Sequence, residues 1–104
     1  MTQDTTVYRP YVDQQGVGLG HRAVFKLSET KGKVRVLDLG LLRTFHVPRA
    51  DFDRARATPP DNPKRLAASM SRRSKQFARH NIGHAPEATK AVVSALRALA
   101  KGVE

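Results

Sequence analysis

The sequence predicts an α+β fold: a small N-terminal antiparallel sheet of about three strands, followed by two to three helices packed on it. Two observations support this prediction. Apolar residues recur at every second position in part of the first half of the chain, and segments with helical periodicity fill the second half. All 104 residues are expected to form a single domain, because a chain of this length supplies one modest core.

The predicted sheet is a β-meander over residues 21–47. Ala23 and Phe25 fall on one side of its first strand, because side chains alternate along a strand with period two. The segment 28–32, which ends in glycine, has the composition of a hairpin turn. The apolar stretch 37–47 is interrupted by a glycine, which indicates either one strand with a bulge or, as we favour, two strands around a tight turn.

Residues 1–20 are predicted to form a loosely ordered arm or an edge strand that leads into a glycine-rich loop. Pro10 has no backbone donor, which restricts a strand around it to the edge of a sheet. The glycine-rich segment 16–20 resembles a phosphate-binding loop only superficially, since a predicted strand follows it where a helix would be required. We therefore interpret this segment as a connector.

Three helices are predicted after the sheet. A short helix spans 48–57, with Phe52 as its inward anchor. A basic helix spans 63–80, because Asn62 can cap its first turn and a proline follows at the first helical position. A C-terminal amphipathic helix spans 86–102. Its predicted apolar face comprises Val92, Leu96, Leu99 and Val103.

Positive charge dominates the sequence and is concentrated in its second half. The chain has 19 Lys and Arg residues against 9 Asp and Glu, for a formal net charge of +10. Residues 62–104 hold nine of the basic residues but only two of the acidic ones, and no acid falls between Lys64 and Arg79. Such a block repels itself unless a negatively charged partner neutralises it. The expected partner is therefore a polyanion, above all nucleic acid.

The basic helix over 63–80 carries the predicted binding site. An apolar stripe that includes Met70 and Phe77 is opposed by arginines such as Arg65 and Arg72, which stand seven residues apart. Forked guanidinium groups and short hydroxyls suit phosphate oxygens. The predicted nucleic-acid-binding residues are Lys64, Arg65, Ser69, Arg72, Arg73, Lys75 and Arg79 on this helix, with Lys31 and Lys33 at the hairpin tip.

These observations favour a non-enzymatic accessory or regulatory protein that contacts the phosphate backbone of duplex or structured nucleic acid. Aromatic residues make up 6% of the chain, which argues against recognition by base stacking. The choice between DNA and RNA stays open. One alternative is a small phage- or plasmid-type protein that inhibits or recruits a nucleic-acid-processing complex, as anti-CRISPR proteins do, through an acidic protein surface. A second is a small basic ribonuclease that uses His21, His46, His80 or His84.

Other classes of site find no support in the sequence. Without cysteine there is neither a disulfide nor a thiolate metal site, and His80 and His84 are separated by a predicted helix break and lack a third ligand. No metal, no cofactor and no catalytic residue is predicted. The longest apolar run is far shorter than the ~20 residues of a membrane span, and no secretory signal is recognised. We expect a cytoplasmic protein without a membrane partner, and a homodimer stays open.

Overall fold

The computed structural model describes residues 3–9 and 23–103, and within them an antiparallel sheet is combined with helices. The predicted α+β class is confirmed. Within the described residues, the sheet has five strands where about three were predicted, and three helices are present. In chain order the elements are β1 (Val7–Arg9), β2 (Val24–Glu29), β3 (Lys33–Asp38), β4 (Thr44–Pro48), α1 (Arg49–Asp53), β5 (Arg56–Thr58), α2 (Pro63–Arg79) and α3 (Pro86–Val103).

The sheet has the spatial order β4-β3-β2-β1-β5, and all neighbouring strands are antiparallel. Strands β2, β3 and β4 form the predicted meander, with a register irregularity between Lys26 and Ser28. Two strands flank a tight turn after Asp38, as favoured from the sequence. The Asp38 carboxylate accepts hydrogen bonds from the backbone N–H groups of Gly40 (2.7 Å) and Leu41 (2.9 Å), which fixes this β3–β4 turn.

Strand β1 is an interior strand, so the prediction of an arm or edge strand was wrong for this segment. Val7 pairs with Phe25 of β2 on one side and with Thr58 of β5 on the other. The predicted helix over 48–57 was too long, because α1 ends at Asp53 and the chain then extends into β5. Residues 56–58 instead pair with β1, which satisfies the backbone groups on one side of β5. The predicted glycine-rich loop lies outside the described residues.

The sheet has a hydrophobic core on each face. Phe25 and Leu37 pack with α2 and α3, whereas Val24 and Val36, their neighbours in the chain, pack with Phe52 of α1 on the other face. All four strand residues are fully buried. Because successive positions of β2 and β3 are apolar, both faces of the sheet must be covered. The helices therefore divide between the two faces, with α2 and α3 on one and α1 on the other.

Contacts of Tyr8 hold β1 against α1. The rings of Tyr8 and Phe52 lie 4.6 Å apart, and the Tyr8 hydroxyl donates to the Asp4 carboxylate over 3.0 Å. Burial alone would raise the pKa of Asp4, but hydrogen bonds from Thr6 and Tyr8 outweigh it and leave the pKa below its ordinary value. Burial and the bond to Asp4 raise the pKa of Tyr8.

Helix α2 begins where the sequence predicted, because the Asn62 side chain accepts a hydrogen bond from the Arg65 N–H over 3.1 Å. It ends at Arg79, and Asn81 in the following connector adopts a positive φ of 57°. Helix α3 then packs against α2, with Val92 and Leu96 fully buried. Among the described residues, no helix has the length and apolar character of a membrane span.

The predicted apolar face of α3 needs one correction. Leu99 is 37% exposed, whereas Leu96, three residues earlier, has no exposed surface. Val93, which the sequence places beside this face, and Thr89 are both buried, so the buried face of α3 is rotated toward α2. Val103 lies at the end of α3, and its side chain is outside the described set.

Two identical substitutions on α3 test this assignment. We expect Leu96→Ala to lower the free energy of unfolding by about 2–5 kcal/mol, because it removes a side chain from a closed core. We expect Leu99→Ala, the matched control, to change it by less than about 1 kcal/mol, since much of that side chain already contacts water. Urea denaturation followed by circular dichroism measures both values. Equal losses for the two variants would contradict the assigned face of α3.

Candidate nucleic-acid interface

The outer side of α2 carries exposed cationic side chains that point away from the sheet. Ala67 and Met70 on the opposite side of the helix are buried in the core. Among the described residues, no carboxylate forms an ion pair with a basic residue of α2, and the ion pairs recorded join Glu29 to Lys26 and to Arg49. The exposed cations of this surface are Lys64, Arg65, Arg72, Lys75 and Arg79.

Three of these cations form what we call the arginine row, namely Arg65, Arg72 and Arg79. Residues seven apart drift by only about 20° around a straight helix, so the three side chains leave α2 in nearly one direction. At its first member the row borders a cavity of about 310 Å³, which Arg9 and Ser69 also line. The arginine row is the surface that the sequence predicted.

Arg73 and Ser69 have a different environment from the arginine row, although the sequence placed them in the same site. One guanidinium nitrogen of Arg73 donates to the carbonyl oxygens of Leu39 (2.7 Å) and Gly40 (3.2 Å) in the β3–β4 turn. The other donates to the Ser69 hydroxyl over 3.1 Å. Arg73 follows the buried Met70 by three positions and therefore lies at the border of the inner face. Its observed contacts fasten α2 to the sheet.

A second cationic surface lies between α2 and α3, which the sequence analysis missed. We call it the interhelical groove. It has a volume of about 680 Å³ and continues past Lys64 at the end where α2 begins and α3 ends. Among the described residues, none that lines it carries a carboxylate. The charged and hydroxyl side chains that line the groove and this continuation are Lys64, Ser71, Ser74, Lys75, Thr89, Lys90, Ser94, Arg97 and Lys101.

The spacing in the sequence places one series of side chains on one side of each helix, but it does not show that the two series lie opposite each other. On α3, Lys90, Ser94, Arg97 and Lys101 follow one another at intervals of four, three and four residues, which keeps them on one side of the helix. Positions 64, 68, 71 and 75 of α2 repeat the same intervals. Two helices joined by a short connector pack antiparallel, and the structure rotates α2 and α3 so that both series line one groove.

The hairpin-tip residues Lys31 and Lys33 are not brought together with the α2 surface. Lys33 begins β3, whereas the turn contacted by Arg73 follows the end of β3 at Asp38. Five residue steps of about 3.4 Å separate these ends by roughly 17 Å. The acidic Glu29 also lies beside the tip and pairs with Lys26 over 3.1 Å. The predicted extension of the site onto the hairpin therefore forms a separate basic region.

Three of the four candidate histidines, His46, His80 and His84, are described, and His21 lies outside the described residues. His84 Nε2 lies 3.0 Å from the Ser74 hydroxyl, its Nδ1 lies 3.2 Å from the Ile82 carbonyl oxygen, and its ring stands edge-on to Phe77. These contacts tie the connector to α2. His46 and His80 are exposed, on β4 and at the end of α2. Among residues 3–9 and 23–103, no three His, Asp or Glu side chains are grouped as metal ligands would be.

Neighbouring arginines on α2 provide a test of the two environments. We expect Arg73→Ala to lower the free energy of unfolding by about 1–2 kcal/mol, because it leaves turn carbonyls without their charged donor. We expect Arg72→Ala to change it by less than about 0.5 kcal/mol, since this side chain is exposed. Urea denaturation measures both. A stability of Arg73→Ala equal to that of the native protein would show that the turn does not depend on the guanidinium.

Comparisons of this chain with protein-family models, with curated proteins and with solved structures found no match.

Proposed function

We propose that this protein is a non-enzymatic accessory or regulatory protein that binds nucleic acid by contacting the phosphate backbone through α2. One observation carries the proposal: the exposed cations of α2 share the side of the helix that faces away from the sheet, and no described carboxylate pairs with them. Phosphate groups supply the missing negative charge, and arginine can bind them with two parallel hydrogen bonds.

The electrostatics of α2 favour a bound polyanion over a purely solvated surface. Arg72 and Lys75 stand at i,i+3, and Lys75 and Arg79 at i,i+4, so like charges are neighbours on the helix surface. Each such pair costs a few tenths of a kcal/mol, whereas a Glu–Lys pair in the same place would stabilise the helix by a similar amount. Phosphates bound along this side of α2 attract these cations, so that the repulsion between them is replaced by a favourable interaction. Binding also releases the counterions that are condensed on the nucleic acid.

The chemistry of this surface suits backbone contact better than base recognition. The exposed residues of α2 other than Lys and Arg are Ala68, Gln76 and Ala78, and the aromatic residue of α2, Phe77, packs toward the core. Base readout in single strands relies on exposed aromatic platforms. Phosphate contacts by themselves position a protein without reading sequence. We therefore propose binding to duplex or structured nucleic acid with little dependence on base sequence.

An acidic protein partner, as in the inhibitor hypothesis, would use the same surface, and binding to bare nucleic acid distinguishes the two. No specific observation supports the ribonuclease hypothesis. In His84, Nε2 is engaged by the Ser74 hydroxyl and Nδ1 by the Ile82 carbonyl oxygen. A cytoplasmic location and a homodimer stay predictions. The large apolar residues that are exposed in the described part of the chain are Leu41, Ile82 and Leu99, of which Leu99 lies on α3.

Charge reversal in the arginine row tests the proposal. We expect Arg72→Glu/Arg79→Glu to weaken binding to a mixed-sequence DNA duplex by at least about tenfold, and to reduce the log–log salt slope by about 1.8, since each lost phosphate contact removes about 0.9. The matched control is Arg35→Glu/Arg56→Glu, which makes the same change in net charge at exposed positions of the sheet. Fluorescence anisotropy at several salt concentrations measures both quantities.

Two outcomes would contradict the proposal. Equal losses in the α2 variant and in the sheet control would mean that binding follows net charge and has no preferred surface. If the native protein binds neither DNA nor RNA at low salt, the direct-contact proposal is wrong and the acidic-protein alternative takes its place.

A further inference from the structure

We infer that the interhelical groove is the binding site for one phosphodiester strand of a nucleic-acid duplex, so that α3 and α2 hold the same backbone from both sides. This inference rests on the proposed function and deepens it. It adds three cations of α3 that the sequence analysis did not assign to the site, and it specifies which part of the nucleic acid enters the protein.

Charge on both sides of the groove is the first argument. Lys64 and Lys75 of α2 line one side, and Lys90, Arg97 and Lys101 of α3 line the other. None of these five residues has an ion pair with a described carboxylate. A concave site lined by one sign of charge focuses the field and raises the local concentration of counter-charged ligand. A linear polyanion fits this arrangement, because the cations extend along the groove.

Small residues between the cations are the second argument. Ala68 and Ser71 occupy the intervening positions on α2, and Ser94 and Ala98 do so on α3. Short side chains here leave the groove open. The serine hydroxyls can donate to phosphate oxygens that lie close to the helix surfaces.

The dimensions of the groove select a single strand of the duplex. The axes of packed helices lie about 8–10 Å apart, so the groove is a surface furrow that is too narrow to admit a duplex but along which the backbone of one strand can lie. From Lys64 to Lys75, and from Lys90 to Lys101, eleven residues rise by about 16 Å at about 1.5 Å each. That length corresponds to about five nucleotides at about 3.4 Å per step along one strand of B-DNA.

The groove lining also excludes base stacking as its main interaction. None of the groove-lining residues in the described part of the chain is aromatic. Sequence-tolerant binding of unpaired bases depends on aromatic platforms. A strand in this groove is therefore held by its phosphates, and its bases stay paired with the complementary strand outside the protein.

Blocking the groove without changing its charge gives the sharpest test. We expect Ser94→Trp to weaken binding to a mixed-sequence DNA duplex by at least about tenfold, because the indole occupies space needed by the backbone. The matched control is Ala91→Trp, an exposed position on the same helix that does not line the groove, and we expect it to bind as the native protein does. Circular dichroism and urea denaturation check that both variants fold.

Neutralising the α3 cations gives a second, independent readout. We expect Lys90→Ser/Arg97→Ser/Lys101→Ser to reduce the log–log salt slope for duplex binding by about 2.7, which corresponds to three lost phosphate contacts. Single-stranded DNA of the same length should bind more weakly than the duplex to the native protein, since its unpaired bases find no stacking partner in the groove.

The outcomes separate this inference from the proposed function. If the native protein binds duplex and depends on the arginine row, but Ser94→Trp and the α3 triple variant bind as it does, the groove inference is wrong and the proposed function stands. If the native protein binds no nucleic acid, both fail. Groove-dependent binding of anionic lipid vesicles as tight as that of the duplex would also overturn the inference, because it would show that the groove does not distinguish a nucleic-acid strand.

Discussion

The packing of α2 against α3 is the interaction on which the rest of the candidate site depends. Met70, Val92 and Leu96 have no exposed surface, and burial of each contributes about 1.5–3 kcal/mol. Two like charges about 7 Å apart in water repel by roughly 0.6 kcal/mol before salt screening reduces this further. Burial therefore outweighs repulsion, and the helices can bring two series of cations together. The repulsion that remains favours an anionic partner.

The β3–β4 turn determines how this helical pair is oriented on the sheet. The carboxylate of the buried Asp38 accepts a hydrogen bond from a backbone N–H group of the turn. Two carbonyl oxygens of the same turn accept hydrogen bonds from the Arg73 guanidinium. The backbone N–H of Ala85 donates to the Leu42 carbonyl over 2.7 Å, and the Arg43 side chain donates to the carbonyl of Gly83. These contacts attach both α2 and the α2–α3 connector to one end of the meander. With Arg73 fixed inward, the arginine row must face away from the sheet.

The different roles of the basic residues of α2 follow from this orientation. Arg73 has a structural role, since its guanidinium donates hydrogen bonds to backbone carbonyl oxygens of the β3–β4 turn. Arg72, its neighbour in the chain, points about 100° away around the helix and is exposed. Lys75 borders the interhelical groove, and Arg79 belongs to the arginine row. Residues of one charge in one short segment thus serve different surfaces, which explains why the total charge alone does not locate a binding site.

Local features of the sequence were sufficient to predict the class of the fold, the meander and both long helices. The start of α2 follows from Asn62 and the proline after it, and its two sides follow from the spacing of Met70 and the arginines, because capping and helical periodicity depend on residues close together in the chain. The excess of cations on α2 was equally visible in the sequence.

Only the tertiary structure decided the interior position of β1, the existence of β5, the role of Arg73 and the contribution of α3 to the groove. Each depends on contacts between distant parts of the chain: Thr58 bonds to Val7 across 51 positions, and Arg73 to Leu39 across 34. Local propensity carries no information about such partners, because pairing and packing energies arise only when the chain brings the segments together.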